Sequence, residues 1–137
     1  MHALDILSAH PQMHGHANEA LIRCVEHCYD CAQACTACAD ACIGEPMAAQ
    51  LTQCIRACLD CADVCMTAGA LGSRRTGSNA ELMARMLQLC EDACRICARE
   101  CQRHAADMLH CRICAEACGE CEAACRDAAA AMIPTLQ

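Results

Sequence analysis

Nineteen cysteines stand in a chain of 137 residues, and their spacing says more than their number. Cys24, Cys28, Cys31, Cys35, Cys38 and Cys42 form one series, and Cys54, Cys58, Cys61 and Cys65 a second. Cys90, Cys94, Cys97 and Cys101 form a third, and Cys111, Cys114, Cys118, Cys121 and Cys125 a fourth. Within every series the intervals alternate between three and four, the 3.5-residue period of a seam between packed helices. Each helix would present one stripe of sulfur, and four inward stripes would make a tube lined with thiols. Thiolates are soft ligands, so the chemistry this pattern points to is metal binding inside a bundle.

Cysteine often serves simply as a small buried hydrophobe. A core of nineteen thiols in place of Leu and Ile would forfeit much burial energy, however, and stability gives no reason to choose it. Disulfides within one helix are disfavoured, because Cβ atoms four residues apart lie roughly 5–6 Å from each other and a disulfide wants about 3.8 Å. Iron–sulfur clusters often use a C-x₂-C-x₂-C loop, which is absent. Zinc sites close discrete Cys₄ tetrahedra, usually from knuckles at turns, which an unbroken helical series specifies poorly. Cu(I) accepts two or three sulfurs, and a linear S–M–S unit of about 4.6 Å is within rotamer reach of a C-x₃-C pair. Charge favours it too: one Cu⁺ replacing one thiol proton leaves the site neutral, whereas Zn²⁺ on four thiolates leaves −2 in a dry core. The cargo expected is multiple Cu(I) ions per chain.

The elements that must position these thiols follow from the breaks at Pro11 and Gly15, Gly44-Glu45-Pro46, Gly69 to Gly77, and Pro134. They predict helices at about 17–43, 46–70, 79–103 and 106–131, each roughly 37 Å long, with Pro46 in a first helical turn and a capping box at Ser78-Asn79-Ala80-Glu81. The fold class is all-α: an antiparallel up-down-up-down four-helix bundle with a Cys-lined core. Residues 1–16 form an N-terminal segment with a short helix at 2–9, residues 17–131 the bundle, and residues 132–137 a tail. Val25, Tyr29, Ile55, Leu59, Leu89, Ile96 and Ile113 flank the stripes and read as a wider buried face in preference to an oligomer interface.

Antiparallel packing gathers Cys42, Met47, Cys54, Cys101, His104, Met108, His110 and Cys111 at one end of the bundle. There the imidazoles of His104 and His110 and the thioether of Met108 would serve as donors beside the outermost sulfurs. Leu21, Leu71, Met83, Met86, Leu87 and Met132 gather at the other end as an apolar plug. His10, Met13, His14 and His16 read as a disordered polar terminus rather than a metal site.

Composition narrows the function. A formal charge of −7 and the lack of a basic patch argue against nucleic acid. No uncharged apolar run is long enough to span a membrane, and no signal peptide is evident, so a reducing cytoplasm is expected. Reduced thiols there bind metal rather than pair.

The serial C-x₃-C-x₂-C stripes, with the segment from Cys101-Gln102-Arg103-His104 to His110-Cys111-Arg112-Ile113-Cys114, resemble the cytosolic branch of the bacterial copper storage proteins. The resemblance covers roughly residues 17–131. It implies a homotetramer, cytoplasmic storage of many Cu(I) ions per chain, and ion uptake at the His-bearing end, mapped here onto His104 and His110. It also leaves room for a copper donor or chaperone as partner. No catalysis is required. The alternatives are a Zn²⁺ or Cd²⁺ sequestering protein resembling metallothionein in role, and a thiol redox enzyme. The latter needs an electropositive cysteine, which a shared apolar stripe does not offer.

Overall fold

Helix boundaries follow the local chemistry closely in some places and depart from it in others. The computed structural model describes residues 2–13 and 18–136, the last four of them by backbone alone. A short helix α1 (Ala3–Ser8) and a 3₁₀ turn (Pro11–Met13) precede four long helices: α2 (Glu19–Ile43), α3 (Thr52–Ser73), α4 (Ala80–Gln102) and α5 (Leu109–Leu136). Asn18 caps α2, its side-chain oxygen accepting from the Leu21 amide at 3.1 Å. The helices pack in ring order, α2 against α3 and α5, and α4 against α3 and α5. The antiparallel four-helix bundle expected from the cysteine period is therefore present.

Three expectations about boundaries are corrected. Pro46 does not open a helix. The amides of Glu45, Ala48 and Gln50 bond to the carbonyls of Cys42, Glu45 and Met47, a run of three-residue turns that delays α3 until Thr52. The capping box does not form either, because Asn79 and not Ser78 is the N-cap. The Asn79 amide instead donates back to the Leu71 carbonyl at 3.2 Å and its oxygen accepts from Arg75 at 2.9 Å, while Glu81 pairs with Arg85. Lastly, α5 runs through Pro134 to Leu136. So near a helix end, proline removes a single amide bond, and the helix continues.

Gly69 and Gly72, expected to lie in a break, sit buried inside α3. A Cβ at Gly69 would stand 2.9 Å from the Tyr29 ring, and one at Gly72 would stand 2.9 Å from Val25 Cγ2. These two glycines let α3 close on α2 around the chain's single tyrosine. The break itself comes later, at Gly77, whose φ of 70° favours glycine.

At the closed end, Leu21, Met83 and Leu87 are buried, with Leu71, Met86 and Met132 packed against them, as the plug requires. The wider buried face holds for Val25, Tyr29 and Ile55. It fails for Leu59, Leu89, Ile96 and Ile113, which are 44%, 52%, 52% and 50% exposed. The sulfur stripe and the seams beside it already fill the inward arc of each helix, which leaves these residues outside. The short helix expected at 2–9 is present as α1, while the reading of His10 and Met13 as a disordered terminus is corrected. Ala3 and Leu7 of α1 are buried against the bundle, and His10 Nε2 lies 3.2 Å from Thr76 Oγ1. His14 and His16 lie outside the described residues.

Candidate metal-binding site

All nineteen cysteines are free thiols, none more than 2% exposed, and no polar or charged residue is buried among the described residues. Their sulfurs form two ladders. Between α2 and α5 the rungs are Cys24–Cys125 at 3.7 Å, Cys28–Cys121 at 3.9 Å, Cys31–Cys118 at 3.6 Å, Cys35–Cys114 at 3.7 Å and Cys38–Cys111 at 3.9 Å. Between α3 and α4 they are Cys65–Cys90 at 3.7 Å, Cys61–Cys94 at 3.9 Å, Cys58–Cys97 at 3.8 Å and Cys54–Cys101 at 3.9 Å. Cross-contacts such as Cys35–Cys97 at 3.9 Å and Cys65–Cys121 at 4.0 Å join the ladders into one tube. Cys42 lies one turn beyond the last rung of α2.

Successive sets of four sulfurs lie within 4.8 Å of one another along this tube. From the closed end they include Cys28, Cys90, Cys121 and Cys125, then Cys31, Cys65, Cys94 and Cys121, then Cys31, Cys35, Cys61 and Cys118. Toward the other end come Cys35, Cys97, Cys114 and Cys118, then Cys38, Cys58, Cys101 and Cys114. Each set shares at least one sulfur with the next. Zn²⁺ on four thiolates leaves a charge of −2, so filling adjacent sets with zinc would build up charge in the dry core. Thiolates that bridge two Cu(I) ions can be shared, and the overlap then becomes an advantage.

The C-x₃-C pairs sit closer than a linear unit requires. Cys24–Cys28, Cys31–Cys35 and Cys61–Cys65 are each 3.8 Å apart. With metal–sulfur bonds of about 2.3 Å that separation gives an S–M–S angle near ~110°, so a third sulfur from a neighbouring helix completes the site more readily than a linear pair does. Burial holds Cys42 and Cys111 in the protonated form. It raises Cys42 above its usual range and pushes Cys111 up to about 12, with the neighbouring Cys54 adding to both. An arriving ion must therefore displace a proton from Cys42 or Cys111 when it engages either thiol.

At the open end the structure brings one of the three expected non-cysteine donors to the sulfurs. His110, in the first turn of α5, places Nδ1 at 3.5 Å from Cys38 Sγ and 3.6 Å from Cys111 Sγ, which are themselves 3.9 Å apart. The centre of that triangle lies about 2.1 Å from all three atoms, close to the ~2.0–2.3 Å of metal bonds to imidazole nitrogen and thiolate. The three donors are thus arranged for one trigonal ion. His104 points elsewhere, its Nε2 3.6 Å from Glu100 on the preceding turn. Met108 is buried below the mouth and belongs to the core, while Met47 is 41% exposed. One residue at the mouth was not singled out from the sequence: Glu45, whose carboxylate accepts from His110 Nε2 at 3.2 Å. Its only sequence signal was a place in the Gly44-Glu45-Pro46 break.

Fold and site together define a class of protein: a four-helix bundle whose core is a continuous thiol ladder able to hold many soft metal ions. The family profile described as copper storage protein matches residues 17–130, and the chain belongs to that family. A structure of the copper storage protein Ccsp from Streptomyces lividans, loaded with 10 copper equivalents, superposes with a TM-score of 0.89 at 50% identity, covering 93% of this chain and 98% of that one. A second, described as a cytosolic copper storage protein from the same organism with five coppers, gives 0.80 at 54% identity, covering 82% and 93%. A histidine-to-alanine variant of Ccsp gives 0.82 at 54% identity, covering 83% and 95%. Among curated proteins none matches the chain.

Proposed function

We propose that this chain stores Cu(I), holding many ions as bridged thiolate units along the tube. The observation that carries the reading is that neighbouring four-thiol sets are fully buried and share sulfurs, which suits a bridging monovalent ion that leaves the dry core near neutral. The nineteen cysteines from Cys24 to Cys125 are the ligands. His110 is the donor at the mouth; His104, on release from Glu100, and Met108, on exposure from the core, would be further donors on the way in. Storage rather than turnover is the task. Its setting is the cytoplasm, by analogy with the Streptomyces lividans protein described as cytosolic; no described helix is long and apolar enough to cross a membrane. The bundle spans 17–131, with flanking segments at 1–16 and 132–137. Metal competition tests the proposal: reduced protein offered equal Cu(I) and Zn²⁺ under anaerobic conditions should retain Cu(I) almost alone. Zinc retained in preference would sink it and favour the metallothionein-like reading.

The working assembly on this reading is a homotetramer. Leu82, Leu89 and Ile96 stand seven residues apart on α4, each more than half exposed, a stripe that one chain leaves uncovered. Replacing both Leu89 and Ile96 with Glu should convert the tetramer to monomers in sedimentation experiments. A monomeric wild-type chain would contradict the assembly without touching the thiol site.

A further inference from the structure

At the mouth, the ring of His110 does not choose its own orientation. A carboxylate can only accept a hydrogen bond, so the 3.2 Å contact to Glu45 Oε1 requires the proton to sit on His110 Nε2. In the neutral ring the Nδ1 lone pair is then left facing Cys38 and Cys111. Glu45 is itself held in place. Its amide donates to the Cys42 carbonyl at 3.2 Å, its carbonyl accepts from the Ala48 amide at 3.1 Å, and Pro46 restricts its backbone from the other side. The carboxylate thus projects from the turn that joins α2 to α3 and reaches the first turn of α5.

Solvent reaches the same ring. Ala34, Ala37 and Ala41 wall a groove of about 350 Å³ along α2 that His110 shares with Cys38 and Cys114. His110 and Glu45 are only partly exposed, at 24% and 29% of their side chains. The His110 ring therefore lies between a solvent-facing groove and the first sulfurs.

We infer that Glu45 is a positioning residue for Cu(I) uptake: it fixes the His110 tautomer and rotamer so that Nδ1 delivers the ion to Cys38 and Cys111. This rests on His110 acting as the mouth donor. Partners of this kind behind a metal-binding histidine typically change affinity or rate by 10–100-fold when removed. Nothing in the inference requires Glu45 to touch the ion.

The test is stopped-flow transfer of Cu(I) from a coloured Cu(I) chelate to reduced full-length protein without oxygen, together with nitrogen NMR of the His110 ring. Glu45→Ala should slow the first phase of transfer about tenfold and abolish the bias toward the Nε2–H tautomer. Glu45→Gln, whose amide oxygen still accepts from Nε2–H, should restore most of both. His110→Ala should be at least as slow as Glu45→Ala, and adding Glu45→Ala to it should slow transfer no further. A slow His110→Ala with Glu45→Ala at the wild-type rate and tautomer would overturn the role of Glu45 alone. A His110→Ala variant that loads at the wild-type rate would overturn the mouth-donor reading and the inference with it.

Discussion

Loading the reduced chain with Cu(I) should raise its thermal unfolding midpoint by about 15 °C or more. The expectation follows from what the apo core is made of. Its interior is chiefly Cys and Ala, and Leu51, Met83, Leu87 and Val25 are the largest fully buried side chains. Small side chains bury little area at roughly 25 cal/mol per Å², so the metal-free bundle leans on helix propensity and close packing. Each ion held by sulfurs from two or more helices binds only the assembled tube at full strength. An ion at a hundred times its dissociation constant adds about 2.7 kcal/mol to a folded state that alone binds it. Two such ions give about 5 kcal/mol, and at ~3–4 °C per kcal/mol for a chain of this size the midpoint moves by ~15–20 °C, with further ions adding to it. Thiols of the unfolded chain also bind Cu(I), so the gain per ion is the excess of the preformed ladder over a loose chain. Far-ultraviolet circular dichroism on matched apo and loaded samples reads the shift. An unchanged midpoint would place the ions outside the tube.

The bundle and its sulfur stripes were legible in the sequence because one period governs nineteen residues, and a helical period fixes which face each residue occupies. The plug was legible for the same reason: Leu87 and Met83 lie one and two turns beyond Cys90 on the same face. What the sequence concealed depends on partners from other elements. Gly69 and Gly72 read as a break until Tyr29 and Val25 of α2 are seen pressed against them. Pro46 marks where α2 must have ended, but the start of α3 is set by the turns that follow. Asn79 was hidden inside a good capping signature because the groups that claim its side chain, Leu71 and Arg75, belong to the end of α3 and the connection after it.

The mouth shows the same limit at closer range. His104 and His110 carry equal weight in the sequence, flanking one short connection. In the structure only His110, adjacent to Cys111 and facing Cys38, meets the sulfurs, while His104 is paired along its own turn with Glu100. Glu45 lies 65 positions from His110, and no local pattern links a turn carboxylate to a histidine on another helix. Leu59, Leu89, Ile96 and Ile113 were ambiguous for a different reason. A flanking apolar residue reads alike whether a neighbouring helix or a second chain covers it.

How many ions one chain holds separates a shared ladder from a set of independent sites. If every ion takes three sulfurs and every thiolate bridges two ions, nineteen thiols support roughly a dozen Cu(I). Unshared Cys₄ sites would limit the same nineteen thiols to about four. The shared members Cys31, Cys35, Cys114, Cys118 and Cys121 are what make the larger number attainable. The decisive measurement is an anaerobic titration of the reduced apo-protein with Cu(I) against a competing chelator, counting the ions that stay with each chain through gel filtration. Retention of about ten or more tightly held ions per chain, with helicity preserved, is the result predicted for a bridged thiolate store. Retention of about four or fewer would contradict it and return the cysteines to separate tetrahedral sites.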